Sequence, residues 1–508
     1  MKLCSEQDRR KKNNMPFIAN FPFFCILITM FGGILTSMVN GKWAFRINTV
    51  IITATLILNG TLLMFLIKDP QYFTFMMGHY PAPWGNEIRF GPLEALMGTV
   101  FSFVTLCSLI SGKDEVFHDV KPRNLHYFYI MINLLLSSLF ALIYTNDLFT
   151  AYVFVEINTI CACAIVMAKE NGKTLAATLR YLIMSLLGSG LFLLSIVLTY
   201  GITGQLLMVP AHEAFQRIFA TGEYQIPLTI ILGLVCVAMA IKSALYPFHT
   251  WLSHAHGSAT TASSAILSGL VLKGYIIMLI KIIVRVVGLE VVVQLKAVNI
   301  LFVMAVLAMI IGSLDAIKEN HIKRMIAFSS VAQMGYIYMG IGLGNMAGLI
   351  AACFHIIVHA ITKPMLFSSA GGLASASGHK KDFGSLRGAA YRNPIAAAAF
   401  LIGSLSMIGI PFFAGFGAKY YLSMAAIGMG AKMWVALAAL AVSTVLNAIY
   451  YIRVIAIIFS KTEGEVVARH KNAPTYTFAM TVFIIVNILL GLFYQPVMNV
   501  ITVGMGLL

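Results

Sequence analysis

The chain has 508 residues, 59% hydrophobic and only 11% charged, where an ordinary soluble domain carries about 25% charged residues. That balance leaves too little polar surface for a soluble protein of this length and points to a polytopic membrane protein. The net charge of +16 does not point to nucleic acid, because the basic residues form no helix with interleaved aromatics and no long run beyond a short N-terminal tail.

In chain order, residues 1–20 read as a tail that carries Arg9, Arg10, Lys11 and Lys12. Apolar runs of about 20 residues, enough to cross about 30 Å of hydrocarbon, follow at 21–39, 49–67, 91–111, 126–144, 147–168, 178–201, 225–246, 259–283, 297–316, 324–343, 347–373, 395–425, 433–459 and 475–503. These are numbered spans 1 to 14. The first run leads straight to another span with no convincing small-residue cleavage site, so no signal peptide is expected. With the N-terminus outside, the inside loops hold about nineteen Lys and Arg residues, the outside loops about seven and the tail five. This bias predicts both termini outside. The basic tail opposes it, and a translation start at Met15 would remove the conflict.

Most of the seven cysteines lie in apolar runs. Cys161, Cys163, Cys236 and Cys353 read as small packing residues, without the Cys and His spacing of a zinc or iron–sulfur site. No glycine-rich nucleotide loop is evident, so no cofactor and no metal are expected in this chain.

Two spans couple a lysine to a proline break. Span 7 ends Lys242, Ser243, Ala244, Leu245, Tyr246, Pro247; span 12 contains Pro411, Gly415, Gly417 and Lys419. Proline lacks the N–H of a helix hydrogen bond, so Pro247 frees the carbonyl of Ser243 and Pro411 that of Met407. Paired breaks in two halves of a chain point to transporter repeats, although proline is also a common membrane-helix kink.

Charge inside a membrane span costs at least about 2.5–3.5 kcal/mol per group. Five such groups, Glu156, Lys242, Lys273, Lys363 and Lys419, read as a polar wire for protons or sodium ions. Burial disfavours the charged form of a lone group, whereas Glu156 and Lys242 side by side hold each other ionised. A pair that opens and closes is a switch; a pair that stays shut is a packing brace. Lys273 is central in span 8, and its apolar surroundings make snorkelling awkward. His355, His359 and Lys363 recur every four residues in span 11, along one helix face. Histidine relays protons near neutrality, though a lone membrane histidine can simply pack, and a histidine pair without an acidic third ligand makes a poor metal site. Lys419 follows the second break as a candidate terminal gate. His249, His254 and His256 either line an inlet or cap a helix end.

These residues resemble the antiporter-like subunits shared by respiratory complex I, Mrp-type sodium/proton antiporters and membrane-bound hydrogenases. The resemblance spans most of the chain from span 3 to span 13, through AIKSALYPFHTWLSHAHGSATTASSAILSGLVLKGYI (240–276), GSLDAIKENHIKRMIAFSSVAQMGYI (312–337), HIIVHAITKPMLFSSAGG (355–372) and GIPFFAGFGAK (409–419). It implies an all-α membrane fold of about 14 helices, with two inverted five-helix repeats, each with a broken helix. The implied units are the tail (1–20), spans 1–3 (21–125), a first repeat of spans 4–8 (126–283), a second of spans 9–13 (284–460) and a C-terminal helix (461–508). By motif, Glu156 is similar to the span 5 glutamate that partners the span 7 lysine, here Lys242. Lys273 is similar to the bridging lysine, His359 and Lys363 lie in the relay segment, and Lys419 is similar to the exit residue.

The chain departs from the family pattern at Ser253 and His254, where Pro and an acid are common. Its exit residue is Lys where one complex I member has Glu, and no long lateral helix follows span 14. These features favour the Mrp D type or its counterpart in a hydrogenase or ferredoxin-linked complex. The implied partners are small membrane subunits, homologous antiporter-like subunits among them, and in a redox complex iron–sulfur, hydrogenase or dehydrogenase subunits. The implied location is the plasma (inner) membrane, and the implied cargo is H+ or, by exchange, Na+. Sodium prefers an oxygen cage, which the sequence does not display, although carbonyls at helix breaks can supply one. No catalytic chemistry is expected in this chain alone. The alternatives are a self-sufficient cation/proton antiporter, a redox subunit holding quinone or metal, and a membrane scaffold.

Overall fold

The computed structural model describes residues 16–77, 80, 86–460 and 469–508. The basic tail, Cys4, the Met15 start and Lys461 lie outside the described residues. After a turn at Phe17–Asn20, α1 (Phe21–Ser37) and α2 (Gly41–Lys68) lead into an antiparallel hairpin of β1 (Phe73–Met76) and β2 (Glu87–Phe90), with Phe73 opposite Phe90. Next come α3 (Pro92–Asp119), α4 (Leu125–Tyr144), α5 (Leu148–Met167), α6 (Gly172–Thr203), α7 (Met208–Thr221), α8 (Gln225–Lys242) and α9 (Thr250–Ser258). The chain continues through α10 (Thr261–Ile266) and α11 (Leu272–Lys281), joined by a π-helical turn at Leu267–Val271 and followed by another at Ile282–Val287. The remainder is α12 (Leu289–Gln294), α13 (Ala297–Lys318), α14 (Ile322–Leu343), α15 (Met346–Ser375), α16 (Ala389–Arg392), α17 (Pro394–Ile408), α18 (Ala414–Ala426), α19 (Ala431–Phe459), α20 (Pro474–Leu492) and α21 (Tyr494–Gly506).

Among the described residues, 12 helical stretches are long and apolar enough to cross a membrane. The chain is therefore an all-α polytopic membrane protein, apart from the small hairpin. Helix is the form that satisfies every backbone group inside a single segment, as hydrocarbon demands. Polar residues at the ends stop the runs: Asp147 Oδ1 accepts the Thr150 N–H at 2.6 Å, and Asn345 Oδ1 that of Gly348 at 2.7 Å. Gly204 and Gly344 close α6 and α14 in the left-handed conformation.

The links between helices gather on two opposite faces. On one, Asn146 N–H donates to the Glu87 carbonyl and Leu148 N–H to that of Leu206, both at 2.9 Å. On the other, Ile322 N–H donates to the Lys381 carbonyl at 3.0 Å, and Lys121 pairs with Glu170 at 2.8 Å. This second face carries most of the loop lysines and arginines. In α14 and α15 the apolar window is 94% buried, whereas in α20 it is only 28% buried. A helix enclosed on all sides forms the centre of a bundle, so α14 and α15 are the axis around which the others pack. The periphery presents apolar side chains outward, among them Leu186, Val197, Val445 and Ile452, as lipid contact requires.

Candidate functional site

α8 stops at Lys242, and the chain passes through Pro247 before α9 resumes. Lys242 is fully buried. Its Nζ donates to Thr159 Oγ1 of α5 at 2.9 Å and lies 5.3 Å from the centre of the Tyr275 ring. Gly188 of α6 makes room for it, since a methyl there would come within 3.0 Å of Lys242 Cγ. The Tyr275 hydroxyl donates to Asn158 Oδ1 at 3.0 Å, and Asn158 Nδ2 to Ser138 Oγ at 3.0 Å. Glu156, one turn before Thr159, is half-buried and acts on Lys242 through space. Among the described residues the two form no ion pair; Glu156 Oε1 is enclosed without a hydrogen-bond partner. Lys242 bonds Thr159 in place of the ion pair with Glu156 that the sequence suggests.

Lys273 is wholly buried, which rules out snorkelling. Its ammonium reaches back across the π-helical turn to the Ser268 carbonyl, a group that the wider turn leaves accessible. Gly269 in that turn faces Pro364 and the Ala360 carbonyl of α15, the carbonyl that Pro364 deprives of its helical donor. His359 lies within electrostatic reach of Lys273, Lys363, His355 and His256, and neither of its ring nitrogens has a hydrogen-bond partner. His355 Nε2 meets Gln333 Oε1 at 3.0 Å, and its ring lies 5.5 Å from that of Tyr336. Lys363 sits to one side, bonded to the Ile326 carbonyl at 3.0 Å, to Ser329 Oγ and to the Tyr451 hydroxyl at 3.4 Å.

Lys419, half-buried, lies with its Nζ 4.9 Å from the same Tyr336 ring. It donates to the Ile408 carbonyl at 2.7 Å and to Thr444 Oγ1 at 3.0 Å. The carbonyl that Lys419 bonds is that of Ile408, next to the Met407 carbonyl that Pro411 leaves without a helical donor. Gly409 takes φ +92°, where a side chain would strain the backbone and crowd Lys419. At Gly415 a methyl would run into the Ser406 carbonyl. Gly415→Ala is expected to cost about 1–3 kcal/mol, measured as a lower thermal unfolding midpoint in detergent; an unchanged midpoint would contradict this packing.

The structure gathers Lys273, His359, His355 and Lys363 at the centre, with Lys242 and Glu156 at one flank and Lys419 at the other. The three histidines after the first break separate. His249 meets Asp315 at 3.6 Å, His254 meets Arg180 at 3.0 Å on the surface, and only His256 lies near the central lysines. Among the described residues no group of three His, Cys, Asp or Glu could hold a metal.

Sequence reasoning missed the polar side chains of α14, which contact Lys363, His355 and Lys419 of the row and two serines beside it. Ser329 bonds Lys363, Ser330 meets Ser268 at 3.2 Å, Gln333 meets His355, Tyr336 lies under Lys419, and Tyr338 meets Ser243 at 2.7 Å. The signal was there: polar groups recur at helical spacing in an otherwise apolar run. Two further residues need correction. Lys281 and Arg285 fell among the outside-loop residues by sequence, yet only 1% and 4% of their surface is exposed. Arg285 Nη2 meets Glu94 Oε1 of α3 at 2.8 Å, and Lys281 donates to the Ile143 carbonyl at 2.8 Å.

The sequence profile of the NADH:quinone oxidoreductase/Mrp antiporter transmembrane family matches residues 145–447. The chain is 31% identical over 394 residues to NADH-quinone oxidoreductase subunit N of Desulforudis audaxviator, covering 77% of this chain and 76% of that one. It is 27% identical over 482 residues to a Staphylococcus aureus protein named as a supposed antiporter subunit, mnhD2, covering 94% and 92%. Its fold is similar, at a TM-score of 0.86 and 23% identity, to a chain of the membrane-bound sulfane sulfur reductase, an archaeal respiratory membrane complex, covering 96% and 97%.

Proposed function

This chain belongs to the NADH:quinone oxidoreductase/Mrp antiporter family, and we propose that it is the ion-translocating membrane subunit of a multisubunit Mrp-type antiporter or a related redox-driven complex. Its partners are then other small membrane subunits, homologous antiporter-like chains among them, with dehydrogenase or hydrogenase subunits added in a redox complex. The match to the mnhD2 relative runs over nearly the whole of both chains, which supports the D type. Adding the interrupted helices α10–α11 and α17–α18 to the 12 candidate spans brings the number of crossings to fourteen. Residues 126–283 and 284–460 then form two inverted repeats, each with one break beside a lysine, Lys242 and Lys419. The face rich in Lys and Arg is the inside and both termini lie outside, in the plasma membrane.

The cargo is the proton. It is taken up on the inside, held at Lys242 while Glu156 is near, and released when the pair opens. From there it passes by way of the Thr159 and Tyr275 hydroxyls to Lys273, then along His359 and His355 to Lys419 for discharge outside. Lys363, in its niche of Ser329 and Tyr451, biases the centre by its charge. The observation that carries this reading is the buried row itself: a purely structural bundle has no use for so many cationic groups in its axis. Flux through the reconstituted complex tests it. Lys273→Leu removes the central carrier and keeps the volume, so flux per assembled complex is expected to fall at least about tenfold. Full flux would refute the row as a route.

A further inference from the structure

A polar cavity of about 70 Å³ opens on the Lys- and Arg-rich face, where α3, α10, α15 and α20 meet. It is roomy enough for about two water molecules. Asp114 stands exposed at its mouth, with Ser375 and Lys471 on the rim. At its floor Glu115 meets Lys381 at 3.3 Å. Gly371 of α15 keeps the floor open, because a methyl there would come within 2.7 Å of Thr261 Oγ1 and 2.9 Å of Glu115 Oε2. Thr261 Oγ1 is buried without a hydrogen bond of normal geometry.

Behind that floor lies Lys323, wholly buried, with its Nζ donating to the Ala259 carbonyl at 2.7 Å and to that of Thr260 at 3.3 Å. Lys323 is within electrostatic reach of Glu115 and Lys381 on one side and of His256 on the other. His256 is also wholly buried, both ring nitrogens lack a hydrogen-bond partner, and it is in reach of Lys273 and Lys363. The row from Lys242 to Lys419 uses none of Glu115, Lys323 or His256.

We infer that this cavity is a second proton inlet, which loads the central lysine from the inside face through Glu115, Lys323 and His256 without passage through Lys242. The Glu115 carboxylate takes a proton from cavity water. It hands the proton to the neutral amine of Lys323, which passes one to a ring nitrogen of His256 and so to Lys273. Each step breaks one O–H or N–H bond and forms one, and no other reactant is needed. The Lys381 ammonium beside Glu115 repels a resting sodium ion, so the cargo of this inlet is the proton. Opening of the Glu156–Lys242 pair still drives the charge at the centre onward, so the two routes share one gate.

The inference rests on the proton-carrying reading, and the test separates the two. The whole complex in vesicles, with Cys4 replaced by Ser, carries Ser375→Cys as a thiol at the rim; the six described native cysteines are buried. A charged, membrane-impermeant methanethiosulfonate applied to the inside face is expected to cut flux about twofold, the share of one of two parallel inlets. Dithiothreitol should restore it. Glu115→Gln should lower flux by a similar factor, and Glu115→Asp should keep most of it. A thiol that cannot be modified, modification without loss of flux, or full flux in Glu115→Gln would each overturn the inlet. If Lys273→Leu alone lost flux in the same vesicles, the route would stand and the inlet would fall. Full flux in Lys273→Leu would remove the reading on which both depend.

Discussion

Glu94→Ala is expected to destabilise this protein by about 3–5 kcal/mol, the cost of leaving a buried charge without its partner. Glu94 performs two tasks at once. Its Oε2 accepts the N–H of Gly91 at 2.9 Å and so holds the start of α3, while its Oε1 takes Arg285 Nη2 at 2.8 Å. Arg285 also donates to Asn146 Oδ1 at 3.2 Å, and Lys281 stands one turn away on the same helical run. Without the Glu94 carboxylate, Arg285 would keep Asn146 Oδ1 and the Leu508 oxygen at 3.1 Å, with Glu87 acting only through space, and the buried Lys281 would lose its nearest counter-charge. The double variant Glu94→Leu, Arg285→Met removes both charges at similar volume and should regain much of the loss, because a buried pair against an apolar replacement is close to neutral. Thermal unfolding of the purified complex in detergent measures both. A single variant as stable as the parent would mean that water or lipid headgroups already screen this cluster.

The same cluster shows where sequence reasoning reached its limit. Lys242, Lys273, Lys363 and Lys419 were legible because each interrupts a long apolar run, where nothing but function or a partner offsets the cost of charge. Glu94, Lys281 and Arg285 sit near the ends of such runs, where a long side chain ordinarily reaches water. Their burial depends on which helix ends come together, and spacing along one chain does not contain that. The two breaks were legible through Pro247 and Pro411. The hairpin of Phe73–Met76 and Glu87–Phe90 was not, because two strands of four residues with aromatic content look like any loop between spans. The polar face of α14 was legible in principle: Ser329, Ser330, Gln333 and Tyr336 follow helical spacing. Which helices they face depends on tertiary packing, which sets Gln333 on His355 and Tyr336 between His355 and Lys419. Glu156 and Lys242 read as a switch or a brace; the two stand near each other with Lys242 bonded to Thr159 instead, and the flux of their variants separates the two readings.

Lys242→Ala is expected to reduce ion flux to below about one hundredth of the parent rate while the complex still assembles. Lys242 makes one hydrogen bond, to Thr159 Oγ1, so its loss costs the fold little beyond a small cavity beside Gly188. Its loss to transport is larger, because no neighbour can take over a charge that answers to Glu156. A carboxylate and an ammonium about 4 Å apart, at an effective dielectric of about 20, attract by about 4 kcal/mol. That corresponds to about three powers of ten in proton occupancy, at about 1.4 kcal/mol for each. Closing and opening the pair therefore suffices to load and unload Lys242 almost completely. Glu156→Gln supplies the control. Glu156 Oε1 has no hydrogen-bond partner to lose, so the amide should leave the unfolding midpoint unchanged yet slow flux by about 10–100-fold, since one half of the switch is gone. A static brace makes the opposite demand: Glu156→Gln would lower the unfolding midpoint and leave the flux of each assembled complex intact. Near-normal flux in an assembled Lys242→Ala complex would remove this lysine from the route and leave the central group to be loaded from elsewhere.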